Sequence, residues 1–312
     1  MPTSIFDQYL QSFEKYLERY LNDVSIYQPI TEAYKYSIQN GGKRLRPSLV
    51  FLGAYAVSKK DNSYDYLDLV AELAVGIELI HSYSLVHDDL PCMDNDSLRR
   101  GKPTTHIKYG AGMATITGDA MLNGAAELML SATENSKNMA NPFVKNNILA
   151  QINATKYILN ESGINGMIGG QCLDIRENTQ NPSKDDLIKL YLLKTSALLR
   201  AALVSGAIRY EADEEIIKAF EKYADNFGII FQIQDDILDL TSTAEVLGKE
   251  VNQDKNNNKF TYIDAVGSID NAKKDMLAYL DEAKSAIKSI EDKIQGAEYF
   301  YQLLDNMFAR KK

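Results

Sequence analysis

Residues Leu67–Asp94 read LDLVAELAVGIELIHSYSLVHDDLPCMD. Up to Val86 the apolar residues fall on nearly every side of a helix, which is typical of a helix buried at the centre of a protein. Carboxylates then follow, at Asp88, Asp89 and Asp94, where a core-facing pattern should simply continue. Buried negative charge is costly unless cations neutralise it, so the segment predicts a central helix that ends at a cation site.

A second acidic cluster, Asp235-Asp236-Ile-Leu-Asp239, follows the apolar stretch Phe227–Ile233. Asp235 and Asp239 are four residues apart and therefore share one face of a helix. A single cluster of this kind is more often a solvated helix end, but two clusters that emerge from apolar helices favour a site for hard divalent cations. Mg²⁺ is usually bound together with substrate phosphates, which indicates the class of ligand.

The spacing within the first cluster requires a break in the helix. Asp94 stands six residues after Asp88, and that spacing places it on a different face of a regular helix. Pro91 disrupts the turn before it because it cannot donate a backbone hydrogen bond. We therefore expect a looped-out segment, Leu90–Cys92, that returns Asp94 to the side of Asp88.

Helical periodicity dominates the rest of the chain, and convincing strand-type alternation is absent from the sequence. Breaks fall at turn-forming pairs such as Gly41-Gly42 and Asn181-Pro182. Ser183 with Asp186 resembles an N-terminal capping box. The sequence predicts a single large all-α domain over residues 1–312. Its predicted helices are 4–22, 28–40, 46–59, 64–87, 111–135, 144–162, 184–209, 213–241, 260–267, 270–291 and 295–309.

Composition argues against several classes of function. The formal net charge of −9 disfavours nucleic-acid binding, which needs a positive surface. Cys92 and Cys172 show neither a disulfide framework nor metal-ligand spacing, so a reducing compartment is expected. The segment Met1–Tyr20 lacks the apolar core of a signal peptide, and no stretch approaches the roughly 18 apolar residues of a membrane span. We therefore expect a cytoplasmic protein without stable membrane insertion.

Two basic segments lie in positions that suit phosphate. Residues Gly41–Pro47 read GGKRLRP and precede a predicted helix, where free N–H groups and cations attract anions. Such a loop is a weak signal by itself. Arg99-Arg100 closely follows the first acidic cluster, and arginine forks bind phosphate oxygens bidentately. Together the two segments favour a substrate that carries diphosphate.

Further lysines are candidates for the same ligand. Lys194 interrupts the apolar run Leu187–Leu203, where an isolated lysine more often reaches out to solvent than takes part in catalysis. Lys249 and Lys259 lie at the two ends of the polar stretch Gly248–Lys259, which follows the second acidic cluster. A long polar connection at such a place predicts a flap that closes over bound phosphate.

In combination these motifs resemble the trans-isoprenyl (polyprenyl) diphosphate synthases, and most of all the bacterial-type short-chain farnesyl diphosphate synthase group. The resemblance runs from Gly41 to Arg310 and keeps the motifs of the family in order. They are Gly41–Pro47, His81–Gly101, Gly169-Gly170-Gln171 with Asp174, Lys194-Thr195, and Phe231-Gln232 with Asp235-Asp236 and Asp239. This ordered set is far more specific than either acidic motif alone.

The resemblance implies a fold, an activity and partners. The fold is the isoprenoid synthase type, with antiparallel helices around a deep central cavity, and the assembly is a homodimer. The reaction is an Mg²⁺-dependent head-to-tail condensation of isopentenyl diphosphate with dimethylallyl or geranyl diphosphate. It proceeds by allylic ionisation, condensation and proton elimination, gives farnesyl diphosphate and releases diphosphate. Three Mg²⁺ ions are expected between the two acidic motifs.

The resemblance also assigns roles to individual residues. The expected Mg²⁺ ligands are Asp88, Asp94 and Asp235, with Asp89, Asp236 and Asp239 in support. Isopentenyl diphosphate would be held by Lys43, Arg46, His81 and Arg100. The allylic diphosphate would be held by Arg99, Lys194, Thr195, Gln232, Lys249 and Lys259. Lys194, Thr195 and Gln232 would also be the catalytic residues, with Thr195 and Gln232 facing the reacting carbons.

Product length is expected to depend on the helix that precedes Asp88. Tyr83 and Ser84 stand five and four positions before it, and a growing chain should extend along this helix. A large Tyr83 would stop elongation at C15, and the Pro91-Cys92 insertion resembles the short-chain group. Alternatively, Tyr83 merely packs in the core. The same chemistry with a geranylgeranyl (C20) or geranyl (C10) product stays open.

Several positions depart from the pattern of the family. Tyr191 and Leu193 stand where related sequences usually show His, Ser196 replaces a Gly, Asn252 stands where Gly is usual, and Ala111 replaces an acidic residue. None of them removes a proposed ligand, so they bear on flap geometry and substrate affinity.

Two other classes of function fit the sequence less well. A class I terpene cyclase would carry an Asn/Ser/Glu-type second motif and would have no use for a second basic loop. A non-enzymatic regulatory partner of a prenyl synthase would lack one acidic motif, and both are complete here.

Overall fold

The computed structural model describes residues 4–24, 28–58, 66–138, 148–177, 182–241 and 260–308, with the backbone alone over 132–138 and 176–177. These residues form an all-α protein, as the sequence predicted. In chain order the helices are α1 Ile5–Asp23, α2 Ile30–Gln39, α3 Leu45–Val57, α4 Tyr66–Asp88, α5 Thr105–Tyr109, α6 Ala111–Asn138, α7 Ile148–Ser162, α8 Met167–Glu177, α9 Lys184–Tyr191, α10 Ala197–Arg209, α11 Glu214–Thr241, α12 Tyr262–Val266, α13 Ile269–Lys288 and α14 Ala297–Phe308.

The centre of the molecule is formed by α3, α4 and α10, which are apolar on almost all sides. Such helices must be surrounded by other helices, and Leu73, Ile77 and Ile80 of α4 are fully buried. No helix in the described parts of the chain is long and apolar enough to cross a membrane. The apolar residues of α4 pack into the core, and the helix ends at Asp88.

Helices α3 and α10 pack with their backbones almost in contact. A Cβ added to Gly53 would lie 2.0 Å from the carbonyl oxygen of Leu203, and one added to Gly206 would lie 2.1 Å from that of Val50. Any larger residue at either glycine would force the helices apart. This contact holds α10, and the segment that precedes it, at a fixed depth in the core.

Helix α9 begins at the predicted capping box. The Ser183 hydroxyl accepts a hydrogen bond from the Asp186 amide, and the Asp186 carboxylate accepts one from the Ser183 amide. Each bond satisfies an amide that the helix itself leaves unpaired, and a good cap stabilises a helix by about 1 kcal/mol. Thr261 with Asp264 forms the same motif at the start of α12.

The structure differs from the predicted helix 184–209 at its middle. The chain forms a π-helical turn at Leu192–Ser196, between α9 and α10. A π turn places one more residue in the turn than an α-helix does, and side-chain periodicity over so short a stretch does not reveal it. The turn contains Lys194 and Thr195, two of the predicted site residues.

Two helices and a small hairpin were not predicted. Helix α8 contains Gly169 and Gly170, and glycine weakens the helical signal of a sequence. Helix α5 is only one turn long. Strand β1, Leu98–Arg99, pairs antiparallel with β2, Lys102–Pro103. Arg100 and Gly101 between them have φ of 54° and 74°, as the tight turns of two-residue hairpins require.

Candidate active site

The first acidic cluster forms the end of α4 and the turn after it. The Asp94 amide donates a hydrogen bond to the Asp88 carbonyl at 2.9 Å, and the Asn95 amide donates one to the Leu90 carbonyl at 3.1 Å. Asn95 has a positive φ of 54° that lets the chain reverse direction. The loop predicted from Pro91 therefore exists, and it brings Asp94 back beside Asp88.

Asp88 lies in an environment that disfavours its negative charge. Burial raises its pKa to about 6, with Lys194 acting to lower the value and Asp94 acting to raise it further. Because a carboxylate in this position lacks sufficient neutralising charge, a bound cation would stabilise it. The influence of Lys194 also shows that the π turn lies near the end of α4.

Asp89 has a different role from its neighbour. Its side chain is buried, and its Oδ1 accepts a hydrogen bond from Nε of Arg99 at 2.7 Å. Nη2 of Arg99 donates to Asp96 at 3.2 Å. Asp89 therefore orients Arg99, and its support of the metal site, as predicted from the resemblance, would be indirect.

The second acidic cluster lies near the end of α11. Asp239 is buried, and its Oδ1 has no hydrogen-bond partner among the described residues. Asp236 accepts two hydrogen bonds on Oδ2, from the Tyr191 hydroxyl at 3.0 Å and from the Tyr262 amide at 2.8 Å. Asp235 is half-buried beside them. The cluster thus combines a carboxylate held by protein groups with a buried oxygen that lacks a partner.

The two clusters fit magnesium, although the residues that the structure describes do not by themselves assemble a complete metal site. Among the described residues, no three His, Cys, Asp or Glu side chains come together as a metal-binding group. Mg²⁺ typically takes only one or two carboxylates and completes its shell with water and substrate phosphates. The buried Oδ1 of Asp239 and the desolvated Asp88 are oxygen donors of the required kind.

The π turn presents Lys194 and Thr195 toward neighbouring helices. The Lys194 ammonium donates to the carboxylate of Asp174, a buried residue of α8. The Thr195 hydroxyl donates to Oε1 of Gln232 on α11 at 2.6 Å. The Lys194 side chain is only 24% exposed, so it does not simply reach out to solvent. Lys194 and Thr195 from one predicted motif and Gln232 from another lie in one region with Asp88.

A glycine makes this arrangement possible. A Cβ added to Gly170 of α8 would lie 2.3 Å from the Lys194 amide nitrogen. The backbone of the π turn therefore packs directly against α8. The resemblance identified Gly170 and Asp174 as part of a motif without giving either a role, and the structure places both against Lys194.

The basic loop before α3 contains one structural arginine. Arg44 has a positive φ of 47° and turns its side chain into the core. There it donates to Glu78 at 2.8 Å, to Glu14 at 3.0 Å and to the Ile38 carbonyl at 2.9 Å. This buried network was not predicted from the sequence. Of the three cations in the loop, Arg44 thus shapes the backbone, which leaves Lys43 and Arg46 as candidates for ligand binding.

Arg46 and Arg100 form a second cationic group around His81. The buried Nε of Arg46 has no hydrogen-bond partner among the residues that the structure describes, and burial lowers the pKa of Arg46 to about 10. Burial also lowers the pKa of His81 well below its usual range, and the charges of Arg46 and Arg100 add to this shift. His81 is therefore neutral at pH 7. The Arg100 guanidinium donates to the Gly41 carbonyl, so it joins the hairpin to the basic loop.

The model of the family described as "Polyprenyl synthetase" matches residues 27–297. The chain is 34% identical over 312 residues to the farnesyl diphosphate synthase of Bacillus subtilis strain 168, with 99% of this chain and 98% of the relative covered. It is 37% identical over 265 residues to the geranylgeranyl diphosphate synthase of Cyanophora paradoxa, with 85% and 83% covered. The solved structure of a Helicobacter pylori geranyltransferase, complexed with magnesium and isoprenyl diphosphate, matches with a TM-score of 0.78, 27% identity, and 98% and 97% coverage.

The chain belongs to the polyprenyl synthetase family. It is accordingly a prenyltransferase with the isoprenoid synthase fold, and the family depends on Mg²⁺. The relatives include enzymes that make products of different length. The length of the product of this polyprenyl synthetase must therefore be argued from its own residues.

The residues expected to limit product length lie on the same helix as His81. Tyr83 is buried, and its hydroxyl has no hydrogen-bond partner in the described parts of the chain. Its ring meets that of His87 edge-on, with 5.7 Å between the ring centroids. Burial and the nearby Asp88 raise the pKa of Tyr83 to about 12. Ser84 donates to the His81 carbonyl at 2.9 Å. Tyr83 is thus a large side chain in an apolar setting one turn from the first acidic cluster.

The structure shows the contacts of two residues that depart from the family pattern, Ser196 and Tyr191. The Ser196 hydroxyl donates to the Asp225 carbonyl at 3.1 Å, and a Cβ on Gly228 would lie 2.1 Å from that hydroxyl oxygen. Gly228 thus provides the space for the serine. Tyr191 binds Asp236, as described above. The predicted ligands Lys249 and Lys259, and the departure Asn252, lie outside the described residues.

Proposed function

We propose that this polyprenyl synthetase is a farnesyl diphosphate synthase, which condenses isopentenyl diphosphate with dimethylallyl and then geranyl diphosphate. One observation carries the proposal above all. Asp88 and His81 lie seven residues apart on one face of α4, about 10 Å along the helix axis. Lys194 lies near Asp88, whereas Arg46 and Arg100 lie near His81. Two separate diphosphates could therefore bind side by side.

The first position suits the allylic diphosphate. Lys194 and Arg99 would bind its oxygens, with Lys249 and Lys259 as further candidates. The buried carboxylate of Asp174 already orients Lys194, and that of Asp89 already orients Arg99. Mg²⁺ bound there would neutralise the charge that develops on the leaving diphosphate. Preorganised cations stabilise that charge without reorganisation during the reaction, which is the main source of rate enhancement in such sites.

The second position suits isopentenyl diphosphate. Lys43, Arg46 and Arg100 would supply positive charge, and neutral His81 would supply one N–H donor. Holding this substrate beside the allylic one converts the condensation into a step between oriented groups. The departing diphosphate is the base in this proposal, because it remains next to the carbon that loses the proton. Thr195 and Gln232, bonded to each other, would face the reacting carbons.

The proposed Mg²⁺ ligands are Asp88, Asp94 and Asp235, with three ions per site. The buried carboxylate of Asp88, with Asp94 beside it, supports this set. The Helicobacter pylori relative was solved in complex with magnesium and isoprenyl diphosphate, which supports the choice of metal. Asp239 would support the site through its buried oxygen, and Asp89 through Arg99, which it orients. Asp236 would support it as a carboxylate held in place by Tyr191 and Tyr262.

The proposal extends to chain length and assembly. The bulk of Tyr83 supports a C15 product, while geranylgeranyl and geranyl diphosphate are the alternative products. We propose one synthase domain, since the family model spans most of the chain. We also propose a homodimer, which exposed apolar residues on neighbouring helices support. These are Ile116 and Leu130 of α6 and Leu149 and Ile152 of α7.

An assay with purified protein tests the proposal. The protein is incubated with Mg²⁺, isopentenyl diphosphate and either dimethylallyl, geranyl or farnesyl diphosphate, and products are separated by chain length. We expect farnesyl diphosphate from the first two primers, no extension of the third, and no product with excess EDTA. Geranylgeranyl diphosphate would revise the product alone. A cyclic hydrocarbon from an allylic primer without isopentenyl diphosphate would instead identify a terpene cyclase.

A further inference from the structure

Tyr191 joins three parts of the active site. It is the last residue of α9, directly before the π turn, and only 7% of it is exposed. Its hydroxyl donates to Oδ2 of Asp236 on α11 at 3.0 Å. The same oxygen accepts the backbone amide of Tyr262, the first residue of α12, at 2.8 Å. One carboxylate oxygen therefore connects α9, α11 and α12.

The hydrogen bonds to Asp236 link the π turn with the second acidic cluster, the two groups that would contact the allylic diphosphate and its Mg²⁺. Lys194 and Thr195 follow Tyr191 by three and four residues, within the π turn. Asp235 and Asp239 lie on the same stretch of α11 as Asp236. A movement of Asp236 relative to α9 would therefore change the position of the acidic cluster relative to Lys194. The Tyr191 hydroxyl opposes that movement.

A second set of bonds holds the surrounding helices independently of Tyr191. The Tyr262 hydroxyl donates to Oδ2 of Asp275 on α13 at 2.9 Å. Lys184, the first residue of α9, donates to the same oxygen at 2.7 Å. Loss of the Tyr191 hydroxyl would thus leave α9 and α12 folded and attached to α13. The expected change is a local loss of order around Asp236.

We propose that Tyr191 is a positioning residue for the second acidic motif. Its hydroxyl holds Asp236, and through it sets the distance from Asp235 and Asp239 to the diphosphate-binding Lys194. This inference rests on the proposed function, because it concerns how the chain's own residues receive a diphosphate with Mg²⁺. A tyrosine and a histidine can both donate to a carboxylate, whereas phenylalanine cannot. That difference provides the test.

The test compares Tyr191→Phe with two matched variants. Tyr191→His keeps a donor toward Asp236. Tyr223→Phe removes another buried tyrosine hydroxyl from α11, the one that donates to the Phe300 carbonyl at 2.9 Å, far from the acidic cluster. Binding of inorganic diphosphate in excess Mg²⁺ is measured by calorimetry, and hydrogen exchange of the peptide 260–266 is measured in metal-free protein. Steady-state kinetics with geranyl diphosphate complete the set.

We expect Tyr191→Phe to weaken diphosphate binding about tenfold, because a hydrogen bond to a charged group is lost. Exchange of the Tyr262 amide should accelerate about tenfold, and KM for geranyl diphosphate should rise more than kcat falls. Tyr191→His should restore binding to within about threefold of the wild type, and Tyr223→Phe should change only thermal stability.

If Tyr191→Phe bound diphosphate as the wild type does and differed only in a lower Tm, the positioning role would be wrong. The proposed function would be unaffected by that result. Equal losses in Tyr191→His and Tyr191→Phe would also contradict it. A wild-type protein that binds no diphosphate with Mg²⁺ and forms no product would overturn the proposed function as well.

Discussion

Single carboxylates in the first acidic cluster have separate roles although they are adjacent in sequence. Asp88 lies beside Lys194 and Asp94, whereas Asp89 is buried against Arg99. The resemblance made Asp88 an expected ligand and Asp89 a supporting residue, and their side-chain partners give a physical reason for that difference. Substitutions at the two positions should therefore have different kinetic consequences.

Asp89→Asn should affect substrate binding through Arg99. The amide keeps the shape of the carboxylate but loses the charge that orients the guanidinium, and such bonds contribute about 1.5–3 kcal/mol. We expect KM for geranyl diphosphate to rise at least about tenfold, with a smaller change in kcat. Asp96→Asn is the control, since its longer bond to Arg99 of 3.2 Å should matter less. Steady-state kinetics with an unchanged KM in Asp89→Asn would contradict the role given to this residue.

Tyr83 can be tested by separating its bulk from its hydroxyl. Tyr83→Ala should lengthen the product beyond C15, because the space beside α4 would no longer be closed. Tyr83→Phe should keep the product and should leave stability within about 0.5 kcal/mol, since the hydroxyl has no partner to lose. Chromatography of the products gives the result. A C15 product from a folded Tyr83→Ala variant would support the interpretation that Tyr83 merely packs in the core.

At the scale of elements, the close contact between α8 and the π turn places Lys194. Gly170→Ala would put a methyl group 2.3 Å from the Lys194 amide nitrogen. The clashing atoms belong to the backbone of the π turn, which cannot move aside as a flexible side chain could. We expect a loss of stability of about 1–3 kcal/mol and a drop in kcat of at least about tenfold, because Lys194 and Thr195 must shift. Urea unfolding and product assays measure the two effects.

A matched glycine controls for the effect of alanine itself. Gly112 lies in the first turn of α6, and a Cβ there would meet nothing within 4 Å. Gly112→Ala should therefore retain activity and gain up to about 1 kcal/mol from helix propensity. If Gly170→Ala behaved in the same way, the π turn would tolerate displacement and its proposed role in placing Lys194 would be wrong.

The sequence predicted the elements that have strong periodicity. Helices α4 and α11 were expected close to their observed bounds because their apolar patterns are long, and the acidic clusters at their ends followed from them. The π turn and α8 were not expected, since one extra residue in a turn and a Gly-Gly pair leave little trace in a pattern. Buried pairs such as Arg44 with Glu78 join residues that are distant in sequence, so only the fold reveals them.

At the scale of the whole molecule, the acidic clusters should reduce the stability of the metal-free protein. A carboxyl group whose folded pKa is raised binds its proton more tightly in the folded state. The protonated carboxyl group therefore adds to the free energy of unfolding. This contribution is fully present below the pKa of the unfolded state and is lost as the pH rises through the pKa of the folded state. For Asp88 these values are 3.8 and about 6, so the ionised group costs about 3 kcal/mol at pH 7.5.

Asp88→Asn should therefore be more stable than the wild type in metal-free buffer, although it should be nearly inactive. We expect an advantage approaching about 3 kcal/mol at pH 7.5 that falls to about half at pH 5, where Asp88 of the folded wild type is mostly protonated. Denaturant unfolding at several pH values measures it. Asp119→Asn, at a side chain that is 68% exposed, should show no such trend.

Mg²⁺ with inorganic diphosphate should reverse the order of stability, because the wild type binds them and Asp88→Asn binds them weakly. A wild type that is more stable than Asp88→Asn at pH 7.5 without metal would mean that protein groups already neutralise Asp88. In that case no cation would be needed at the end of α4, and the energetic basis of the proposed metal site would be lost.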